Sequence, residues 1–391
     1  MKNDFLKYQA QTSPYPLGME VSHASGSYIY DTEGNAHLDF VAGVSACTLG
    51  HCHPEVVTAI KKQAEKYMHV MVYGEYAQSP ATIYTKLLAK NLPEPLEVTY
   101  LVNSGTEAIE GALKLARRYT GRSQIIAAKT AYHGNTMGSL SLMDFEERKS
   151  VFRPLLPDIY HIRFNNEEDL EKITNKTACV ILETIQGGAG FIVPQNDYLK
   201  KVKKRCSEMG ALVILDEIQP GFGRTGKLFS FEHFDCVPDI LVIGKGMASG
   251  LPVGAFTSSK EIMETLSENP KMGHITTFGG NPVIAASSLA TLQVLLKTSL
   301  IEDTLKKEAL FKELLKHPKI KEIRGKGLML ALIMDSAETA NELVLRAKEE
   351  KLILFWLLFE NKAVRISPPL TISNAEIRKG CTTILKVLNY L

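Results

Sequence analysis

The sequence predicts an α/β protein: a large, mostly parallel sheet with helices on both faces, joined to a smaller α+β unit. Three observations carry this. Short apolar runs recur through the middle of the chain, at residues 98–102, 124–128, 178–182, 211–215, 240–243 and 253–258. Their apolar residues are continuous rather than alternating, as strands covered on both faces require. Amphipathic helical patterns at 107–119 and 198–209 stand between such runs, and that alternation marks a layered α/β architecture. Beyond Pro282 the texture changes to long helices, 283–296 and 300–315. They lead into 323–334, a helix, two short strands and a last helix at 375–388.

The N-terminal segment reads differently. Tyr28-Ile29-Tyr30-Asp31 and His37-Leu38-Asp39-Phe40 flank a Gly34-Asn35 turn, the pattern of a hairpin. Helical patterns follow at 54–68 and 80–91. This divides the chain into a large unit, 49–281, and a small unit built from both termini, 1–48 and 282–391.

Bulk composition narrows the function classes. A chain of 391 residues exceeds one small core. Its 45% hydrophobic and 23% charged residues are those of an ordinary globular protein. A formal net charge of +2 gives no electrostatic footprint for nucleic acid. No apolar run approaches the ~20 residues a membrane span needs, and the first residues lack a secretory signal. Six cysteines without CxxC spacing read as reduced thiols of a cytoplasmic protein. His51-Cys52-His53 offers neighbouring ligands that point apart, so no metal is expected.

The chemistry concentrates at strand ends. Lys245 follows the run 240–243, between Gly244 and Gly246. Asp216 follows the run 211–215. Two buried strands delivering an amine and a carboxylate to the same sheet edge suit a cofactor held there. A lysine that forms an imine and an aspartate that pairs with a pyridinium nitrogen are what pyridoxal phosphate requires. Burial favours the neutral, nucleophilic amine at Lys245. Ser104-Gly105-Thr106-Glu107 turns from strand to helix, so its N–H groups suit a phosphate, although the same tetrapeptide is a common helix cap. Tyr132 stands after a strand, where an aromatic can stack on a planar ring. His133 beside it reads as a hydrogen-bonded structural histidine. Glu183 and Gln219 are further polar groups at strand ends, within reach of one network. Gly273 to Pro282 is Gly-rich with two hydroxyls, a second phosphate clamp or a plain loop.

In their order along the chain these pieces resemble the class III aminotransferases, pyridoxal-phosphate enzymes of fold type I, and among them the acetylornithine and ornithine aminotransferases. The resemblance covers nearly the whole chain. It rests on Gly50-His51-Cys52-His53-Pro54, Asn103-Ser104-Gly105-Thr106-Glu107-Ala108, Tyr132-His133-Gly134, Leu182-Glu183-Thr184-Ile185-Gln186-Gly187, Leu215-Asp216-Glu217-Ile218-Gln219, Gly223-Arg224-Thr225-Gly226, Gly244-Lys245-Gly246, Thr276-Thr277-Phe278-Gly279-Gly280-Asn281-Pro282, Arg324-Gly325-Lys326-Gly327-Leu328 and Arg365-Ile366-Ser367-Pro368-Pro369. It implies that Lys245 bonds the cofactor and carries the proton, and that Asp216 pairs with the ring nitrogen. Gln219 would bind the ring hydroxyl and Tyr132 stack on the ring. Gly105 and Thr106 would take the phosphate, and Thr277 would reach the same phosphate across a homodimer interface. Arg365 would bind a substrate carboxylate as a bidentate fork.

Two departures from the family pattern bear on substrate. Gly188 stands where relatives carry Glu, and Asn135 where they carry an Arg that grips a distal carboxylate. Val44 replaces the Tyr of ornithine-specific members. The expected function is transamination between an amino-acid or ω-amine donor and a 2-oxo acid, 2-oxoglutarate or pyruvate. A decarboxylating transaminase or aminomutase on the same fold, or a non-catalytic binding protein, are the alternatives the sequence leaves open.

Overall fold

A computed structural model describes residues 1–391. Its centre is a seven-stranded sheet. The order across it is Val98–Val102, Gly254–Ser258, Ile240–Gly244, Leu212–Asp216, Thr177–Glu183, Gln124–Ala128 and Ile159–Ile162. Gly254–Ser258 runs antiparallel to both its neighbours, and the other pairs are parallel. The expected mostly parallel sheet is therefore present.

The continuous apolar runs have a simple cause. Along Thr177–Glu183 and Leu212–Asp216 every residue is buried. Val180, Leu182, Val213 and Leu215 enter the core on one face, while Cys179, Ile181, Leu212 and Ile214 enter the core on the other. The side-chain period of two is intact, but both faces are covered. Helix Gly105–Thr120 covers one face with Ala108, Ile109, Ala112, Leu113 and Ala116. A Cβ on its Gly111 would lie 2.3 Å from the Phe256 ring, so glycine lets this helix approach the sheet. Helix Tyr198–Met209 covers the other face with Leu199, Val202 and Cys206.

Two four-stranded sheets complete the molecule. One joins Val21–Ser25, Tyr28–Asp31 and Ala36–Asp39 to Leu352–Ile353, so residues from both ends of the chain share a sheet. The expected hairpin is there, with Tyr28 opposite Leu38. The other contains Ile320–Lys326, Met329–Met334, Ala363–Ile366 and Phe355–Trp356. The stretch 323–334 is thus a hairpin, turned at Gly327 with φ 62°. Three short strands, not two, precede the last helix, Asn374–Tyr390. Helix Pro282–Lys297 packs on helices Pro54–Lys66 and Ser79–Ala89. No single helix is long and apolar enough to cross a membrane.

Candidate active site

Register brings the predicted residues together. Glu183 pairs with Asp216 across adjacent parallel strands, and Asp216 pairs with Val242 on the next. Lys245 leaves that next strand just after Gly244, which lies opposite Gly254. Two carboxylates and an amine therefore occupy one edge, at the carboxyl ends of the strands.

Asp216 is buried, and its two oxygens have different tasks. Oδ1 accepts from the Ile218 N–H at 2.9 Å, and Oδ2 is 2.8 Å from His133 Nδ1. His133 is fully enclosed and its Nε2 has no partner. Burial alone would lower its pKa, but the hydrogen bond to Asp216 and the charges of Asp216 and Glu183 win, so it is raised. The expectation of a hydrogen-bonded structural histidine holds, and its partner is the key aspartate. Glu183 receives the Tyr132 N–H at 3.0 Å and the Gly187 N–H at 2.8 Å. Burial pushes its carboxyl up to about 7, helped by the Asp216 charge and opposed by His133.

Lys245 opens a short 3-10 turn with φ 42°, in the left-handed region. Burial holds its amine below the ordinary lysine range, and the Arg365 charge acts in the same direction, against Asp216 and Glu183. The next residue must be glycine: a Cβ on Gly246 would lie 2.2 Å from Thr48 Oγ1. Thr48 belongs to a segment that also touches Gln219, whose Nε2 is 3.4 Å from Ser45 Oγ. Val44 sits in that segment at φ 60°, in a left-handed run from Ala42 to Ser45. A β-branched residue there is strained. Asp39 holds the turn by accepting from the Val41 and Ala42 N–H groups at 2.7 and 3.0 Å.

At the other end of the site helix Gly105–Thr120 begins. Ser104 caps it by accepting from the Glu107 N–H. Its first N–H groups, at Gly105 and Thr106, have no acceptor a turn back, as at every helix start. A Cβ on Gly105 would lie 2.9 Å from Ile218 Cδ1. Thr106 Oγ1 meets Thr136 Oγ1 at 2.8 Å and Ser139 Oγ at 2.7 Å. Glu110 Oε1 accepts from the Gly138 and Ser139 N–H groups. Gly134, at φ 128°, passes so close that a Cβ would lie 2.3 Å from Thr106 Oγ1. Tyr132 is half-buried and Asn135 exposed.

Arg365 lies on strand Ala363–Ile366 and is only 6% exposed. Its guanidinium stands 5.3 Å from the Phe191 ring centre, and Nε and Nη1 have no partner. Burial lowers its pKa to about 10. Gly188 offers it no acid. A Cβ there would lie 2.7 Å from Phe359 Cδ2, so the phenylalanine ring fills the side-chain direction of residue 188. Thr277 is exposed on this chain; its neighbour Thr276 accepts from Asn103 Nδ2 at 3.1 Å.

These residues fit pyridoxal 5'-phosphate. The edge supplies an amine whose pKa burial lowers, a dry carboxylate for a cationic ring nitrogen, and a helix start lined with hydroxyls for a phosphate. Glycines at 105 and 134 leave that helix start no room for side chains. His133, Thr136, Ser139, Phe191 and Phe359 join the site only through the three-dimensional approach of distant segments.

Comparison with known proteins agrees. The family model for aminotransferase class-III matches residues 8–388. An acetylornithine aminotransferase from Caldanaerobacter subterraneus subsp. tengcongensis is 39% identical, covering 98% of each chain. One from Methanopyrus kandleri is 36% identical, covering 98% of this chain and 97% of its own. Among solved structures, an ornithine aminotransferase from Toxoplasma gondii, described with partial occupancy of PLP at its active site, superposes with a TM-score of 0.91. It is 31% identical and covers 100% of this chain and 94% of its own.

Proposed function

We propose a function from one premise: this chain belongs to the class III aminotransferases, and its substrates are amino and 2-oxo acids that present a carboxylate to Arg365. Pyridoxal 5'-phosphate, when bound, supplies a carbonyl for the donor's nitrogen and an electron sink for the neighbouring carbon. Lys245 holds that group between turnovers. Once displaced, Lys245 Nζ takes a proton from the donor carbon and delivers it across the site. Asp216 supplies the negative charge that keeps a proton on the ring nitrogen, and His133 orients that carboxylate. Gln219 and Tyr132 fix the ring, and Gly105 and Thr106 hold the phosphate. The oxo product leaves, and a 2-oxo acid, 2-oxoglutarate or pyruvate, runs the same steps backwards in a ping-pong cycle.

The observation that carries the substrate reading is Arg365: buried, with two unpartnered nitrogens and no acid within reach from residue 188. A guanidinium left so would cost a few kcal/mol, so each substrate is expected to bring a carboxylate to it. Relatives named for acetylornithine share the cofactor chemistry, but Gly188, Asn135 and Val44 support a different donor. The test compares kcat/KM for glutamate, alanine, 4-aminobutyrate, ornithine, lysine and N-acetylornithine. Glutamate or alanine should lead. N-acetylornithine ranking first by about tenfold, roughly 1.4 kcal/mol, would sink the donor reading.

The functional unit in this reading is a homodimer with shared sites. In support, Met68, Val70, Tyr76, Ile275 and Phe278 are exposed. The 68–76 segment lies against the 272–282 loop through Tyr73 N to Thr276 O and Asn281 Nδ2 to Met68 O. Such an apolar patch asks for a partner surface, and Thr277 stands within it. The large unit, 49–281, extends in this reading through helix Pro282–Lys297, because that helix packs on its helices. The small unit takes 1–48 and the rest. Six unpaired cysteines, four of them buried, support a cytoplasmic setting.

A further inference from the structure

We propose that Glu110, Thr136 and Ser139 are positioning residues for the cofactor phosphate: they fix the Thr106 hydroxyl so that its proton is the one left to donate to a phosphate oxygen. The proposal rests on the reading that Gly105 and Thr106 take that phosphate. It goes beyond it by naming a second segment, residues 134–139, that completes the phosphate turn.

Two segments meet at this turn. Thr106 Oγ1 lies 2.8 Å from Thr136 Oγ1 and 2.7 Å from Ser139 Oγ, and those two oxygens are 2.9 Å apart, so three hydroxyls form a closed triangle. Beneath it, one turn further along helix Gly105–Thr120, Glu110 Oε1 accepts from the Gly138 N–H at 2.8 Å, the Ser139 N–H at 3.0 Å and the Thr136 hydroxyl. Glycine makes both approaches possible. A Cβ at Gly134 would lie 2.3 Å from Thr106 Oγ1 and 2.9 Å from Ser139 Oγ, and one at Gly138 would lie 2.1 Å from Glu110 Oε2. Ser139 is buried, while Thr106, Thr136 and Glu110 are half-buried.

The protons decide the direction of these bonds. An ionised carboxylate only accepts, so the Thr136 proton is spent on Glu110. The Thr136 oxygen is then an acceptor for its neighbours. Ser139 has one proton, and Thr136 Oγ1, Thr106 Oγ1 and the Thr136 carbonyl, at 3.2 Å, all lie within its reach. Thr106 Oγ1 accepts from the Thr136 N–H at 3.3 Å. Every donor in the cluster except the Thr106 hydroxyl thus has an acceptor inside it. Thr106 can turn its proton outward without leaving another group unpaired. That hydroxyl belongs to the first turn of the helix, where free N–H groups already favour an anion. A satisfied network holds such a side chain in one rotamer, whereas a lone threonine hydroxyl would be free to rotate.

The test strips the protein of cofactor and titrates it with pyridoxal 5'-phosphate and with pyridoxal, which has the ring and carbonyl but no phosphate. Absorbance of the bound ring gives each affinity without turnover. Thr136→Val and Ser139→Ala should each weaken pyridoxal 5'-phosphate about tenfold, roughly 1.4 kcal/mol, and leave pyridoxal within about twofold. Thr136→Ser keeps the hydroxyl and should bind both ligands as wild type does. Glu110→Gln keeps an oxygen for the same three donors and should also behave as wild type, whereas Glu110→Ala should match Thr136→Val. Ser139→Ala, which removes a single heavy atom, carries the test if a larger change disturbs folding. Equal losses for the two ligands, or no loss for the phosphorylated one, would overturn the assignment. Thr106→Val serves as the control. If it leaves the ratio of the two affinities unchanged, the phosphate reading of this turn fails, and the proposal fails with it for that separate reason.

Discussion

At Asp216 one side chain does two jobs, and substitution separates them. Asp216→Asn keeps an oxygen for the Ile218 N–H but removes the negative charge. A charge-assisted bond is worth about 1.5–3 kcal/mol, so activity should fall by at least tenfold with little change in melting temperature. Activity within about twofold of wild type would make Asp216 structural only. Gly188→Glu is the complementary change. Its Cβ would meet Phe359 at 2.7 Å, so the ring must move. The variant should gain on ω-amine donors that bring no carboxylate to Arg365, since the new acid can pair with it. Unchanged donor ranking would contradict the view that residue 188 sets this preference. Lys245, Asp216, Glu183 and Gln219 were legible in the sequence because strand ends announce themselves where apolar runs stop. The His133–Asp216 pair was not, since 83 residues separate them. Nor was Phe359 beside Gly188, which depends on how two loops cross.

At the scale of the element, the left-handed turn Ala42–Ser45 is held by Asp39, which also pairs with His51 at 2.8 Å. The hydrogen bond to Asp39 raises the His51 pKa to about 10, with Cys47 adding to it against burial. The sign follows from linkage. The folded state binds a proton that the unfolded histidine, with a pKa near 6.5, releases. The contribution is full below about pH 6.5 and is lost as pH rises toward about 10. Denaturant midpoints of wild type and Asp39→Asn should therefore differ most at pH 6 and converge by about pH 10; a constant gap across that range would rule the pairing out. Most helices and strands were readable from period and caps. Edge strand Ile159–Ile162 was not, because it has a neighbour on one side only and buries only Ile162 fully. Helix Lys2–Tyr8, which buries no residue, gave no periodic signal. The turn at 42–45 was also invisible, since three of its four residues are not glycine.

At the scale of the molecule, the proposed dimer would bring Thr277 of a second copy to the sheet edge. Sedimentation should give a dimer, and Ile275→Asp/Phe278→Asp should dissociate it. Mixing Thr277→Ala with Lys245→Ala chains should regenerate one intact site per mixed dimer, with activity above either parent. A fully active monomer would refute the shared site. The two-faced sheet was legible because continuous apolar strands allow few alternatives. The contact of helix Pro282–Lys297 with helices Pro54–Lys66 and Ser79–Ala89 was not, because an apolar helix carries no label for what it packs against.

The measurement that tests the account most directly is covalent mapping of the cofactor. The purified protein, reduced with borohydride and digested, should carry the pyridoxyl mass on the peptide containing Lys245 and nowhere else. Lys245→Ala should carry none and should lose turnover by several orders of magnitude. Cofactor mass on another lysine, or near-normal turnover without Lys245, would contradict it.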